Sequence, residues 1–114
     1  MADYLVLIYD NEAEWARADP SVAGEVTQDH NEFLRVNGAA VRGGAQLDGS
    51  ETATSIRRGS DGTVSVTDGT FAETKEVLGG YYVISADDLD QALEIAQQVP
   101  ARFGGVEVRP IVRS

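Results

Sequence analysis

The 114-residue chain carries 19 acidic and nine basic side chains, a formal net charge of −10, one histidine and no cysteine. Without cysteine there is no disulfide, no thiol nucleophile and no thiolate metal site, and a lone histidine argues against a transition-metal centre as well. The negative field disfavours phosphate backbones and anionic lipid surfaces, so neither nucleic acid nor membrane is an expected partner.

The length suits one domain over residues 1–114, able to bury roughly 65% of its unfolded surface without staples. Met1-Ala2-Asp3 leads straight into a strand-like run with no basic, apolar leader. No apolar run approaches the ~20 residues of a bilayer span, so the expected location is the cytoplasm.

In chain order, residues 4–9 (Y-L-V-L-I-Y) are β-branched, aromatic or aliphatic throughout and predict a strand that is apolar on both faces. Residues 11–20 read as a polar connector with Trp15 as its one large anchor. Asp19 as cap and Pro20 in the first turn open a helix over residues 20–37, with Val22, Val26, Phe33 and Leu34 at helical spacing and Gly38 as its stop. Residues 40–47, 52–57 and 63–66 are candidate strands, and Ser60-Asp61-Gly62 is a hairpin signal because Asp-Gly supplies positive φ.

Residues 81–85 predict another strand after Gly79-Gly80. Ser85-Ala86-Asp87-Asp88 reads as a capping box, opening a helix with Leu89, Ala92, Leu93, Ala96 and Val99 on one face and a stop at Pro100. Residues 106–112 predict the last strand, with Val106 and Val108 on one face and Glu107 and Arg109 on the other. The fold class is therefore α+β: a ferredoxin-like sheet of two βαβ units around a hairpin insertion, with two helices on one face. The doubly apolar first strand needs its second face covered, and a homodimer packed sheet against sheet would do this.

The segment V-T-D-G-T-F-A-E-T-K-E (residues 66–76) gathers Asp68, Glu73, Lys75 and Glu76 around a glycine turn beside Phe71. Such a cluster can orient a small polar ligand and shift pKa values; it also reads as a plain turn before a solvated helical start. Glu107 and Arg109 share a strand face ~7 Å apart, where they either line a wet pocket, pair with Lys75 and Asp68, or fix a dimer's register. His30 falls within the buried stripe of the first helix, where a histidine is more often a satisfied core residue than a catalyst. Tyr4, Tyr9, Tyr81 and Tyr82 could act through their hydroxyls but are core residues by default, with Tyr81 a candidate ligand contact.

The residue 66–76 segment, with G-G-Y-Y after it and V-E-V-R-P near the end, resembles the YCII-related family, specifically the branch named for an Asp-Gly-Pro-Phe motif. Thr70 stands where that motif has proline. The resemblance implies a dimeric α+β barrel, small-molecule enzymology in some relatives, and association of others with sigma-type transcription factors. It also implies a histidine in the first helix paired with an aspartate, which places His30; Asp48 lies late for the aspartate.

No phosphate loop, dinucleotide motif or nucleophile elbow occurs, and no cofactor is expected. Two functions follow. One is cofactor-free acid–base chemistry on a small metabolite, isomerase- or lyase-like, with His30, Asp68, Glu73 and Glu107 as acids or bases. Phe71, Lys75, Arg109 and Tyr81 would then contact the ligand. The other is a non-catalytic, ligand-sensing or partner-binding dimer linked to transcriptional regulation.

Overall fold

A computed structural model describes residues 1–71 and 75–113 of the chain. Its elements are β1 (Ala2–Asp10), α1 (Glu12–Arg17), α2 (Ser21–Asn37), β2 (Val41–Gln46), β3 (Thr54–Arg58), β4 (Val64–Asp68), β5 (Val77–Ala86), α3 (Leu89–Ala96) and β6 (Gly104–Pro110), with a 3-10 turn at Ser50–Thr52. Strands β2, β5, β1 and β6 lie side by side in that order, each neighbour antiparallel, while β3 and β4 form a separate two-stranded sheet. This is the expected ferredoxin-like α+β arrangement with a hairpin inserted between β2 and β5.

Side-chain alternation in β1 explains both layers. Tyr4, Val6 and Ile8 point under the helices and are buried, joined in the core by Ile84 and Ala86 of β5, Phe33 of α2, and Ala92, Ala96 and Val99 in and after α3. Leu5, Leu7 and Tyr9 occupy the opposite face with Tyr81 and Val83 across the register, half-buried and under no element formed by the described residues. The sheet is thus a two-layer slab only 18 Å through its shortest axis. Its radius of gyration, 16.2 Å, exceeds the ~13 Å typical of a compact chain near this length, because the β3–β4 hairpin projects from it.

Several local expectations need correction. The polar connector contains a helix: Asn11 caps α1 by accepting from the Glu14 N–H at 3.1 Å, and Glu12 and Arg17 complement its dipole. Trp15 is its anchor, edge-on to Phe103 with ring centroids 5.1 Å apart. In α2 the inward stripe runs Val22, Val26, His30, Phe33, Asn37; Leu34 sits beside it, 39% exposed.

The cap of α3 is Asp88, whose carboxylate accepts from the Gln91 N–H at 2.9 Å, while Ser85 belongs to β5 and is buried. The buried face of α3 is small, Ala92 and Ala96, which lets the helix approach the sheet, and Leu89 and Leu93 lie at its exposed margin. Strand β5 begins at Val77 and runs through Gly79 and Gly80. The hairpin turn is as expected, with Gly62 at φ +87° and Gly59 donating its N–H to the Thr63 carbonyl. Among the described residues no helix is long and apolar enough to cross a membrane.

Candidate functional site

Between α1, α2, the loop after β2 and the first half of β5 lies a cavity of about 870 Å³. Three strands and two helices border it for a simple reason: β1 ends there, at Asp10, and β5 begins there, at Val77. Its walls include His30, Tyr82, Asp10, Glu12 and Trp15, with Leu47 and Leu78 supplying apolar surface.

His30 and Tyr82 form the centre of the polar wall. Helical spacing from Val26 turns His30 toward the sheet, and β5 presents Tyr82 on the helix side, opposite Val6. Imidazole Nδ1 and the Tyr82 hydroxyl are 2.8 Å apart and share one hydrogen bond, its donor set by the imidazole tautomer. Phe33 packs on the Tyr82 ring at 5.0 Å and fixes its plane. Burial pushes the His30 pKa below its ordinary value, opposed by the charges of Asp10 and Asp29, and burial pushes the Tyr82 hydroxyl up. Both shifts favour neutral forms at rest, so the pair holds one transferable proton between a base and a weak acid.

Asp10 is held by Trp15, whose indole Nε1 donates to Oδ1 at 3.3 Å. Glu12 accepts from the backbone N–H of Ser50 at 2.9 Å and from its hydroxyl, tying the loop after β2 to α1. Those bonds from Ser50 hold the Glu12 carboxyl below its usual range. Asp48 and Glu51 also border the cavity, whereas its one described arginine, Arg102, reaches Glu25 at 3.4 Å and Asp29 at 3.7 Å. The lining is therefore net negative. Among the described residues, no cluster of histidine and carboxylates is arranged to hold a metal.

The other residues singled out from sequence are dispersed. Tyr81 borders the cavity, but its register opposite Leu7 and Ala45 sets it on the open sheet face. Glu107 and Arg109 are on that open face too, opposite Leu7 and Leu5. There, burial and then the charge and hydrogen bond of Glu107 raise the pKa of the Tyr9 hydroxyl. Asp68 ends β4 in the separate hairpin, opposite Thr54, and is exposed. Phe71 is 62% exposed beneath the Arg57 guanidinium, 4.5 Å from the ring centroid. Lys75 is exposed, and Glu73 lies outside the described residues. Of the expected set, His30 and Tyr81 touch the cavity; the convergence of Asp68 and Lys75 with Glu107 and Arg109 is not found among the described residues.

Tyr82 is told apart from the other strand tyrosines only by the structure, and Asp10 emerges only there, although it carried a signal. Counting by twos from Tyr4 puts Asp10 on the buried face of β1, where a charge is costly without a role.

The sequence matches the YCII-related domain over residues 2–114. It is also 44% identical over 63 residues to an uncharacterized protein of Rhizobium meliloti (strain 1021), an alignment covering 53% of this chain and 51% of that protein. The match thus spans about half the length of that relative.

Proposed function

The chain belongs to the YCII-related family, and from that premise we propose that it binds a small organic molecule in the helix-side cavity and moves a proton there through His30 and Tyr82. The observation that carries this reading is the 2.8 Å contact between the two side chains on the wall of a cavity large enough for a metabolite. A neutral imidazole can take a proton from a carbon or oxygen acid of the ligand, and the hydroxyl can return one to a developing oxyanion. Asp10 and Glu12 on the wall and the faces of Trp15 and Tyr82 suit a neutral or positively charged ligand better than an anion.

A thermal-shift screen of a metabolite library, followed by turnover assays on each hit, tests the proposal. Bound at 100 times its Kd, a ligand stabilises the native chain by about 2.7 kcal/mol. That stabilisation is expected to vanish in His30→Gln and to weaken in Tyr82→Phe, with conversion of the ligand lost in both. Equal stabilisation of wild type and both variants would place the ligand elsewhere, and no hit of any charge would remove the reading.

A second feature favours association. The open face carries Leu5, Leu7, Tyr9, Tyr81 and Val83 with no element of the described residues over them, and Glu107 lies two positions from Arg109 on the same strand. A two-fold axis over this face would set Glu107 and Arg109 of one chain against Arg109 and Glu107 of the other, so the surface is self-complementary. We propose a homodimer built on it. Light scattering at micromolar concentration is expected to give twice the mass of one chain, falling to one in Leu7→Asp. A wild-type monomer would exclude the dimer.

A further inference from the structure

Gly44 of β2 stands directly opposite Tyr82 of β5. Inside a strand, glycine costs about 0.5–1 kcal/mol relative to alanine, and it often marks a close approach. Conformation gives it no reason here, because among the described residues only Gly62 and Gly69 have positive φ. Space does. A Cβ on Gly44 would lie 2.8 Å from Tyr82 Cδ1, 3.3 Å from Cε1 and 2.6 Å from the Tyr81 carbonyl oxygen. The Tyr82 ring therefore leans across β2, into the place of the missing side chain. The adjacent Gly43 pairs with Val83, and a Cβ there would meet nothing within 4 Å.

That lean decides where the hydroxyl goes. On the β1 side, Val6 lies opposite Tyr82 and is completely buried, so the space there is filled. On the β2 side the glycine leaves room, and an aromatic ring laid over an edge glycine is a recurrent sheet device. From the helix layer, Phe33 packs on the ring with centroids 5.0 Å apart, and the His30 ring stands at 5.8 Å. The ring is thus set between the backbone of β2 and helix α2, with its hydroxyl 2.8 Å from His30 Nδ1. A hydrogen bond of that length tolerates little displacement of either ring.

We propose that Gly44 is the positioning residue of Tyr82: by lacking a side chain it lets the phenol ring lie across β2 and brings the hydroxyl to His30. Misplacing a proton-transfer partner by about 1 Å can cost on the order of 100-fold in rate, so such a seat is a functional requirement of the site. The proposal rests on the reading of His30 and Tyr82 as the proton-handling pair. Its test follows the hydrogen bond rather than turnover and needs no ligand, so the two can fail separately.

The chain has a single histidine, so a long-range proton–nitrogen NMR spectrum reads His30 Nδ1 without overlap. In Tyr82→Phe the Nδ1 resonance is expected to move, because its hydrogen-bond partner is gone. In Gly44→Ala it is expected to move in the same direction, although the hydroxyl is still present, because the new methyl displaces the ring. Adding Gly44→Ala to Tyr82→Phe is expected to shift Nδ1 no further. Gly43→Ala makes the same change of residue on the same strand with no ring in reach, and is expected to leave Nδ1 where it is in wild type.

An unchanged Nδ1 resonance in a folded Gly44→Ala would overturn the positioning role, and so would an equal shift in Gly43→Ala. An unchanged resonance in Tyr82→Phe would remove the hydrogen bond itself, and with it the proton-transfer reading. Should Gly44→Ala not fold, the wild type decides the matter. Its Gly44 α-hydrogens are expected to show through-space contacts to the Tyr82 ring and a ring-current shift that Tyr82→Leu abolishes. Absence of both would refute the lean on which the positioning depends.

Discussion

Phe33→Ala is expected to lower the unfolding free energy by about 3–5 kcal/mol in a urea titration with an unchanged slope. Phe33 is 3% exposed and is the one fully buried side chain of the 17-residue helix α2. Everything else on that helix's inward stripe is half-buried, so its docking depends on this ring more than on any other contact. Truncation removes the burial of a large aromatic, leaves a void against Val6 and Ile84, and takes away the ring that packs on Tyr82. Against a total stability of roughly 5–15 kcal/mol, the loss consumes a large share. Leu34→Ala, one position along and 39% exposed, is the comparator and is expected to cost about 0.5 kcal/mol. Equal losses at the two positions would mean that α2 is not anchored through Phe33.

Gly104→Ala is the second large effect, and its cause is backbone against backbone. Gly104 begins β6 opposite Asp10, and a Cβ there would overlap the Tyr9 carbonyl oxygen and lie 2.8 Å from its carbon. No rotamer can relieve this, so the end of β1 and the start of β6 must separate. That junction also carries the hydrogen bond from the Asn11 N–H to the Phe103 carbonyl, 2.9 Å, just before α1 begins. Overpacking of this kind costs about 3 kcal/mol, equivalent to a fall in Tm on the order of 10 °C or more for a chain this size. Gly105→Ala is the control, because a Cβ at Gly105 meets nothing within 4 Å. Calorimetry giving the two variants the same Tm would refute the steric account.

Where the controlling chemistry is local, the sequence was a good guide. Asp61-Gly62 declared its turn because positive φ is a property of the residue itself. The unbroken apolar run of β1 declared a strand with two faces to cover, and the structure divides it into Tyr4, Val6 and Ile8 inside and Leu5, Leu7 and Tyr9 outside. Helix α1 escaped notice because six residues are too few for a periodic stripe; it is held by the Asn11 cap and by Trp15 reaching Phe103, far along the chain.

The site divides in the same way. His30 was visible from helical spacing alone. Tyr82 could not be told from Tyr81, since which of two adjacent tyrosines faces the helices is decided by pairing with β1. The Asp10 carboxylate lies against Gly79, which the β1–β5 pairing skips, a register event that composition does not encode. The charged segment at residues 66–76 drew attention because density along the chain is easily taken for convergence in space. The hairpin carries Asp68 into a different sheet from Glu107 and Arg109.

The projecting hairpin also means that this molecule has more than one stability. Strands β3 and β4 pair only with each other, and all their residues except Ser55 are exposed, including Ile56 at 60% and Val66 at 66%. Parting them breaks no hydrogen bond of the four-stranded sheet and uncovers little apolar surface. The amide hydrogens of Ile56 and Val66 therefore exchange with solvent through a shallow local opening, while those of Val6 and Ile84 wait for the whole chain to unfold. A denaturation curve followed through the core reports the second process and is silent about the first.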